Sequence, residues 1–86
     1  MDIEYDSTKD RANRAKHGLP LALGRIVLEN LVGEDLDVDH TDEERIVAFG
    51  MVGIRLFVCV YTLRGSACRI ISIRRATKAE AERWLS

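Results

Sequence analysis

Lysine, arginine and histidine side chains are the groups in this sequence best suited to chemistry on a charged substrate. Cleavage of a phosphodiester by a neighbouring hydroxyl needs a base, a cation beside the phosphorus and an acid for the leaving oxygen. Arginine can supply the cation without a metal ion, because its planar guanidinium matches a pair of phosphate oxygens. The candidate residues for these roles are Lys16, His17, Glu44, Arg45, Arg64, Arg69, Arg74 and Arg75. The sequence contains no glycine-rich phosphate loop, zinc-ligand spacing or nucleophile elbow, so this scatter alone does not identify a reaction.

The stretch from residue 69 to residue 77 is where the sequence predicts the most rigidly held cations. Three isoleucines between residues 70 and 73 favour a strand, and Thr77–Glu80 has the capping-box pattern that begins a helix. Arg74 and Arg75 lie at the junction between the predicted strand and the predicted helix, where their side chains can project past the sheet. The pattern predicts an anion-binding strand end. The alternative is an edge strand whose arginines only make it soluble.

Lys16 and His17 end a predicted helix near the N-terminus. Ser7–Asp10 has the form of a capping box, so the helix should begin near Thr8, and Gly18 suits its left-handed end. The helix dipole favours an imidazolium at this end, so His17 could act as an acid or as a phosphate ligand. The simpler alternative is a pair of charges that only complement the helix terminus.

The distribution of charge limits the partners that this chain can bind. Its 86 residues are enough for one domain, residues 1–86, and its net charge is −1. Residues 1–48 contain 6 Lys and Arg against 12 Asp and Glu, whereas residues 49–86 contain 7 against 2. The second half could therefore bind a polyanion and the first half could not.

Neither a membrane nor a metal is expected from the sequence. No apolar run approaches the roughly 20 residues that span a bilayer, and the acidic N-terminus does not have the shape of a signal peptide. Cys59 and Cys68 fit no metal-ligand spacing and no redox motif, so we expect reduced packing residues. We predict a cytoplasmic protein without a cofactor.

The order of predicted elements indicates an α+β fold, with a small antiparallel sheet, two N-terminal helices and one C-terminal helix. The predicted elements are a short strand at residues 2–5, helices from Thr8 and from Pro20, strands at 34–40, 46–52, 54–62 and 68–75, and a helix at 78–85. Because a tight turn at residues 63–66 joins the last two strands, we expect those strands to be adjacent and central.

A loop centred on Arg64 and Gly65 would divide the side chains of the last hairpin between two faces. One face would carry the aliphatic residues of 56–60 and form the core covered by helices. The other face would combine Arg55 and Tyr61 with Arg74. Such a mixed face could accept a base and a phosphate.

The combination of these segments resembles a known family. The first segment reads Tyr5-Asp6-x-x-Lys9-x-x-x-Asn13-x-x-Lys16-His17-Gly18. The later segments read Glu44-Arg45, Gly50, Tyr61-Thr62-x-Arg64-Gly65 and Arg69-Ile70-Ile71-Ser72-x-Arg74-Arg75-Ala76. In this order and spacing they resemble the BrnT toxins over nearly the whole chain. The departures from the family pattern are Tyr5 for a tryptophan, Leu21 for a phenylalanine and Ile73 for a small residue, and they affect packing more than charge.

The resemblance implies a RelE-like, metal-independent endoribonuclease of a type II toxin–antitoxin pair that arrests translation. It implies RNA as substrate and a BrnA-like antitoxin, encoded next to the toxin, as the partner in a hetero-oligomer. The toxin would then meet DNA only through the antitoxin. The candidate catalytic residues are Lys16, His17, Arg64, Arg74, Arg75 and Glu44. The candidate RNA-binding residues are Arg69, Arg55 and Tyr61.

Two other functions compete with a ribonuclease. A noncatalytic protein-interaction domain could keep the toxin fold, although the complete basic set argues against loss of the site. A module that binds nucleic acid without cleaving it would usually be basic overall, which this chain is not.

Overall fold

The computed structural model describes residues 1–37 and 44–86, which form a five-stranded sheet with helices on both faces. The elements are β1 (Asp2–Glu4), α1 (Ser7–His17), a 3-10 turn (Leu21–Leu23), α2 (Gly24–Glu29), β2 (Leu31–Asp37), β3 (Arg45–Val52), β4 (Arg55–Arg64), β5 (Ala67–Arg75) and α3 (Lys78–Leu85). The strand order is β1-β5-β4-β3-β2, and β1 runs parallel to β5 while the other pairs are antiparallel. The α+β fold and the adjacency of the last two strands are confirmed. The sheet is mixed rather than wholly antiparallel because of β1.

Several predicted element boundaries differ from those observed, and the helix predicted from Pro20 is a 3-10 turn at Leu21–Leu23 followed by α2 from Gly24. The strand predicted at residues 34–40 begins at Leu31, and residues 38–40 lie outside the described residues. Helix α1 begins after Asp6, whose carboxylate accepts a hydrogen bond from the Thr8 backbone at 3.3 Å. A capping box would need Asp10 to reach back to the start of the helix. Instead, the Asp10 carboxylate accepts hydrogen bonds from the Leu21 backbone at 2.8 Å and from Arg14 Nε at 3.0 Å.

Both faces of the sheet are covered, so the predicted core at Leu56 and Val58 is confirmed, but the prediction of an accessible mixed face was wrong. The main core lies under α1, α2 and the 3-10 turn, and it contains the aromatic residues Phe57 and Tyr61 of β4. The aliphatic residues Leu56 and Val58 lie on the opposite face, where α3 covers them through Trp84. The face predicted to be accessible is therefore the one that the N-terminal helices bury.

The register of the last hairpin explains part of this error. Its two-residue loop is Gly65 and Ser66, one position later than predicted, and Gly65 has a φ of +59°. The register shifts again between Val60 and Tyr61, because Tyr61 lies opposite Ile70 and Val60 lies opposite Ser72. The extra residue of this bulge changes which β5 side chains face each core.

Two glycines set how closely the helices approach the sheet. A Cβ atom at Gly33 would lie 2.0 Å from the Trp84 ring, and one at Gly50 would lie 2.0 Å from the Val27 carbonyl oxygen. Either contact is shorter than atoms allow, so a side chain at these positions would push α3 or α2 away from its core.

The outer edge of β5 is closed by a side chain as well as by a strand. Strand β1 pairs only with residues 67–69 of β5. Further along, buried Asn13 of α1 donates from Nδ2 to the Ile73 carbonyl at 2.9 Å and accepts from the Ile73 backbone N–H at 3.1 Å. The same Nδ2 donates to the Leu19 carbonyl at 2.9 Å. Asn13 thus satisfies both backbone groups of Ile73 and holds α1 against the edge of the sheet.

We predict that Asn13→Ala lowers the free energy of unfolding by about 2–4 kcal/mol, because it leaves the buried backbone groups of Ile73 without partners. Urea denaturation measures this loss. The matched control is Asn30→Ala, which removes an exposed amide bonded to the Ile26 carbonyl and should cost less than about 1 kcal/mol. Equal losses in the two variants would show that Asn13 does not hold the edge.

Candidate nucleic-acid interface

A cleft of about 390 Å³ lies between α1 and the outer edge of β5, and we call it the edge cleft. Its lining residues are Lys9, Ala12, Asn13, Lys16, His17, Ile71, Ser72 and Arg74. Positions 9, 13, 16 and 17 recur at helical spacing and share one face of α1. Because Asn13 bonds to Ile73, that face is turned toward β5.

The edge cleft is positively charged. Lys9, Lys16 and His17 form no ion pair with any described residue. Lys16 and His17 close α1, which ends at Gly18 with a φ of +71°, as predicted. The structure therefore brings together three of the predicted catalytic residues, Lys16, His17 and Arg74, beside one groove.

Arg74 is held in place by Glu80 of α3. Its Nη1 and Nη2 atoms donate to the two carboxylate oxygens of Glu80 at 2.8 and 2.9 Å. This pairing lowers the pKa of Glu80 to about 2 and raises the pKa of Arg74. The Nε–H and the second N–H of Nη2 take no part in these bonds, so the guanidinium can still donate to a phosphate.

Glu80 also belongs to the capping box that begins α3, which confirms the predicted helix start. Its Oε1 accepts from the Thr77 backbone at 2.8 Å, and the Glu80 backbone donates to Thr77 Oγ1 at 3.2 Å. One carboxylate therefore joins the end of β5 to the start of α3. Arg74 was predicted to project past the sheet from a rigid strand end, and in the structure its side chain is half-buried and oriented by the same joint.

A second cleft of about 240 Å³ lies beside the connection from β5 to α3, and we call it the joint cleft. Its lining residues are Ile54, Arg55, Leu56, Arg75, Ala76, Thr77, Lys78, Ala81 and Leu85. Arg75 was predicted to be catalytic and Arg55 to bind RNA on a face shared with Arg74. The structure instead places Arg55 and Arg75 together in this second cleft.

Two predicted catalytic residues lie at the other end of the hairpin. Arg64 ends β4 and pairs with Ala67, whereas Arg74 lies near the far end of β5. The strand from Ala67 to Arg74 covers about 23 Å. Glu44 precedes β3 and lines a small recess of about 130 Å³ with Leu63. Glu44 and Arg64 are therefore not brought to the edge cleft.

Tyr61 and Arg69 also lie away from the two clefts. Tyr61 is only 7% exposed, and its hydroxyl donates to Glu34 Oε1 at 3.2 Å. Burial, together with the Glu34 carboxylate, raises the pKa of Tyr61 to about 12. Tyr61 thus has no open ring face on which a base could stack. Arg69 is half-buried and lies 3.7 Å from the Glu4 carboxylate of β1.

No site role was predicted from the sequence for Lys9, Asn13 and Lys78, which line these clefts. The first two share the helical spacing of Lys16 and His17, and that spacing was the signal that would have found them. The inclusion of Ser72 depends on the bulge in β5, which no local pattern predicts.

The described residues contain no group of three His, Cys, Asp or Glu side chains arranged to hold a metal ion. Cys59 is buried, which raises the pKa of its thiol to about 12, and Cys68 is half-buried and reduced. None of the described helices is both long and apolar enough to span a membrane.

Comparisons with known proteins identify the family. The sequence model of a family described as ribonuclease toxin, BrnT, of type II toxin–antitoxin system matches residues 5–80. The fold is similar to the crystal structure of the Brucella abortus ribonuclease toxin BrnT, with a TM-score of 0.68. The two sequences are 28% identical, and the match covers 91% of this chain and 99% of that chain. No curated protein matches the sequence. The segments that suggested the resemblance, from Tyr5 to Ala76, fall within the matched range.

We predict that the stability supplied by Glu80 depends on pH. The pKa of Glu80 is near 2 in the folded protein and near 4.5 when unfolded, so its contribution is complete above pH 4.5. That contribution is lost as the pH falls toward 2. Urea denaturation should therefore show Glu80→Gln less stable than wild type by about 1–2 kcal/mol at pH 7, with the difference narrowing below pH 4.5.

The control for this experiment is Glu82→Gln in the same helix, since the Glu82 carboxylate forms no ion pair with a described residue. That variant should show no comparable difference from wild type. A constant difference between wild type and Glu80→Gln from pH 7 to pH 2.5 would contradict the prediction.

Proposed function

The chain belongs to the BrnT family of ribonuclease toxins of type II toxin–antitoxin systems, and on that premise we propose that it is an endoribonuclease that cleaves RNA in the edge cleft. The observation that carries this proposal is the convergence of Lys16, His17 and Arg74 on one groove beside a fixed strand. We further propose that cleavage needs no metal ion and that its consequence is inhibition of translation.

The proposed chemistry uses the RNA as its own nucleophile. The 2′ oxygen forms a bond to the adjacent phosphorus, the bond from phosphorus to the 5′ oxygen breaks, and a proton moves from the first oxygen to the second. Lys16 and Arg74 would stabilise the charge that develops on the phosphate oxygens. Histidine is the residue type that most often serves as a general acid or base, and His17 lines the cleft, so we assign it a proton-transfer role.

Glu44 and Arg64 have no catalytic role in this proposal. The roughly 23 Å of strand between Ala67 and Arg74 is too long for both ends of the hairpin to hold one phosphate. We therefore leave Glu44, Arg64, Arg69 and the buried Tyr61 outside the reacting centre. These four residues match the family pattern, and contacts outside the reacting centre would explain that match equally well.

The proposed partner is a protein antitoxin, as expected for a toxin of a type II pair. We propose that it is a BrnA-like, DNA-binding protein encoded next to the toxin, that the two form a hetero-oligomer, and that the toxin meets DNA only through it. We propose that the 86 residues act in the cytoplasm as a single toxin domain.

One observation favours a second candidate function, a noncatalytic interaction domain that retains the toxin fold. The Glu80 carboxylate already neutralises Arg74, which leaves less positive charge for a substrate. Growth arrest on induced expression, and its relief by the neighbouring gene, would favour the ribonuclease.

We predict that purified protein cleaves RNA at the same rate in EDTA, because lysine and arginine supply the charge stabilisation. Lys16→Ala should lower the rate constant for cleavage on the order of 100-fold, as expected for loss of one preorganised cationic contact. The control is Arg11→Ala, which removes an exposed cation of the same helix that does not line the edge cleft.

Two results would contradict this prediction. Loss of cleavage in EDTA would mean that a metal takes part in the reaction. Equal rates for Lys16→Ala and Arg11→Ala would mean that the edge cleft is not the site of cleavage.

A further inference from the structure

We propose that the joint cleft binds a second nucleotide of the same RNA strand, next to the nucleotide held in the edge cleft. Arg55, Arg75 and Lys78 would bind its phosphate, and the apolar side chains that line the cleft would contact its base. This inference rests on the proposed function, because it assigns the cleft to the same substrate.

No ion pair with a described residue explains the cations of the joint cleft. Arg55, Arg75 and Lys78 are exposed, and none forms an ion pair with a described residue. No carboxylate is among the lining residues. Three such groups around one concave surface repel one another unless an anion lies between them.

Lys78 occupies a position where the helix dipole disfavours a positive charge. It is the first residue of α3, directly after the Thr77 cap, and the N-terminus of a helix carries partial positive charge. A lysine at this position costs stability rather than adding it. Residues that break a local rule in this way are expected where function requires them.

Apolar side chains also line the joint cleft. Leu56 is buried, whereas Ile54 is 93% exposed at the β3–β4 turn and Leu85 is 50% exposed at the end of α3. Apolar side chains beside cations match a nucleotide, which combines a flat apolar base with an anionic phosphate. It does not match a free inorganic anion.

The two clefts are lined by consecutive residues of β5, whose side chains alternate between the two faces of the sheet. Arg74 lines the edge cleft and Arg75 lines the joint cleft, and their backbones are fixed by pairing with Val58 and Phe57 of β4. An RNA strand crossing the end of β5 would meet both clefts in succession. This adjacency along β5 favours RNA over an acidic segment of a protein as the occupant.

The test measures binding of a single-stranded RNA octanucleotide in which every 2′-hydroxyl is methylated, so that the internal nucleophile is blocked. Arg55→Ala and Lys78→Ala should each raise Kd about fivefold, as expected for one exposed ionic contact. Each should also reduce the slope of log K against log salt concentration by about 0.7. Arg11→Ala, which removes the same charge outside both clefts, should change Kd less than about twofold.

A cleavage assay separates this role from catalysis. With unmodified RNA, the same two variants should lower kcat/KM mainly by raising KM, because binding is lost equally from the ground state and the transition state. Thermal unfolding checks the fold, and Lys78→Ala should melt no lower than wild type because its cation opposes the helix dipole.

Three outcomes would overturn the inference. If wild type cleaves RNA but Arg55→Ala and Lys78→Ala bind it like Arg11→Ala, the joint cleft takes no nucleotide while the proposed function stands. If wild type neither binds nor cleaves RNA, the proposed function fails as well. If the two variants weaken binding of the protein encoded by the neighbouring gene without changing RNA binding, the cleft is a protein-docking surface.

Discussion

The amide of Asn13, paired with the backbone of Ile73, is the contact on which the proposed site depends. The two residues lie 60 positions apart in sequence, and their hydrogen bonds close a strand edge that β1 leaves uncovered. A buried strand edge without partners would be costly, so the amide stabilises the fold. The same contact sets the rotation of α1 about its axis. Lys16 and His17, which follow within four residues, therefore face β5 rather than solvent alone.

The Glu80 carboxylate fixes the orientation of Arg74, another residue that lines the edge cleft. Glu80 caps α3 and holds the guanidinium of Arg74, so the strand end and the helix start form one unit. This arrangement restricts Arg74 to one orientation and reduces the entropy that it would lose on binding a phosphate. It also neutralises part of the charge of Arg74. The remaining attraction for an anion comes from the cations of α1 and of the joint cleft.

Local patterns predicted the parts of the site that short segments determine. The cap at Thr77 and Glu80, the helix end at Gly18 and the strand carrying Arg74 each follow from a few neighbouring residues. Contacts between distant segments were not predictable in this way. The bulge opposite Tyr61 and the parallel pairing of β1 depend on how the whole sheet assembles. The resemblance therefore supplied a list of basic residues. In the structure these residues lie in two clefts and at the far end of a hairpin.

The central claim is that RNA binds along the end of β5 that α1 and α3 flank. Nuclear magnetic resonance of ¹⁵N-labelled protein, titrated with the fully 2′-O-methylated RNA octanucleotide, tests it directly. We predict that the largest changes in amide chemical shift fall in residues 9–17 and 71–78. Changes centred on Glu44 and residues 62–69, at the opposite end of the hairpin, would contradict it.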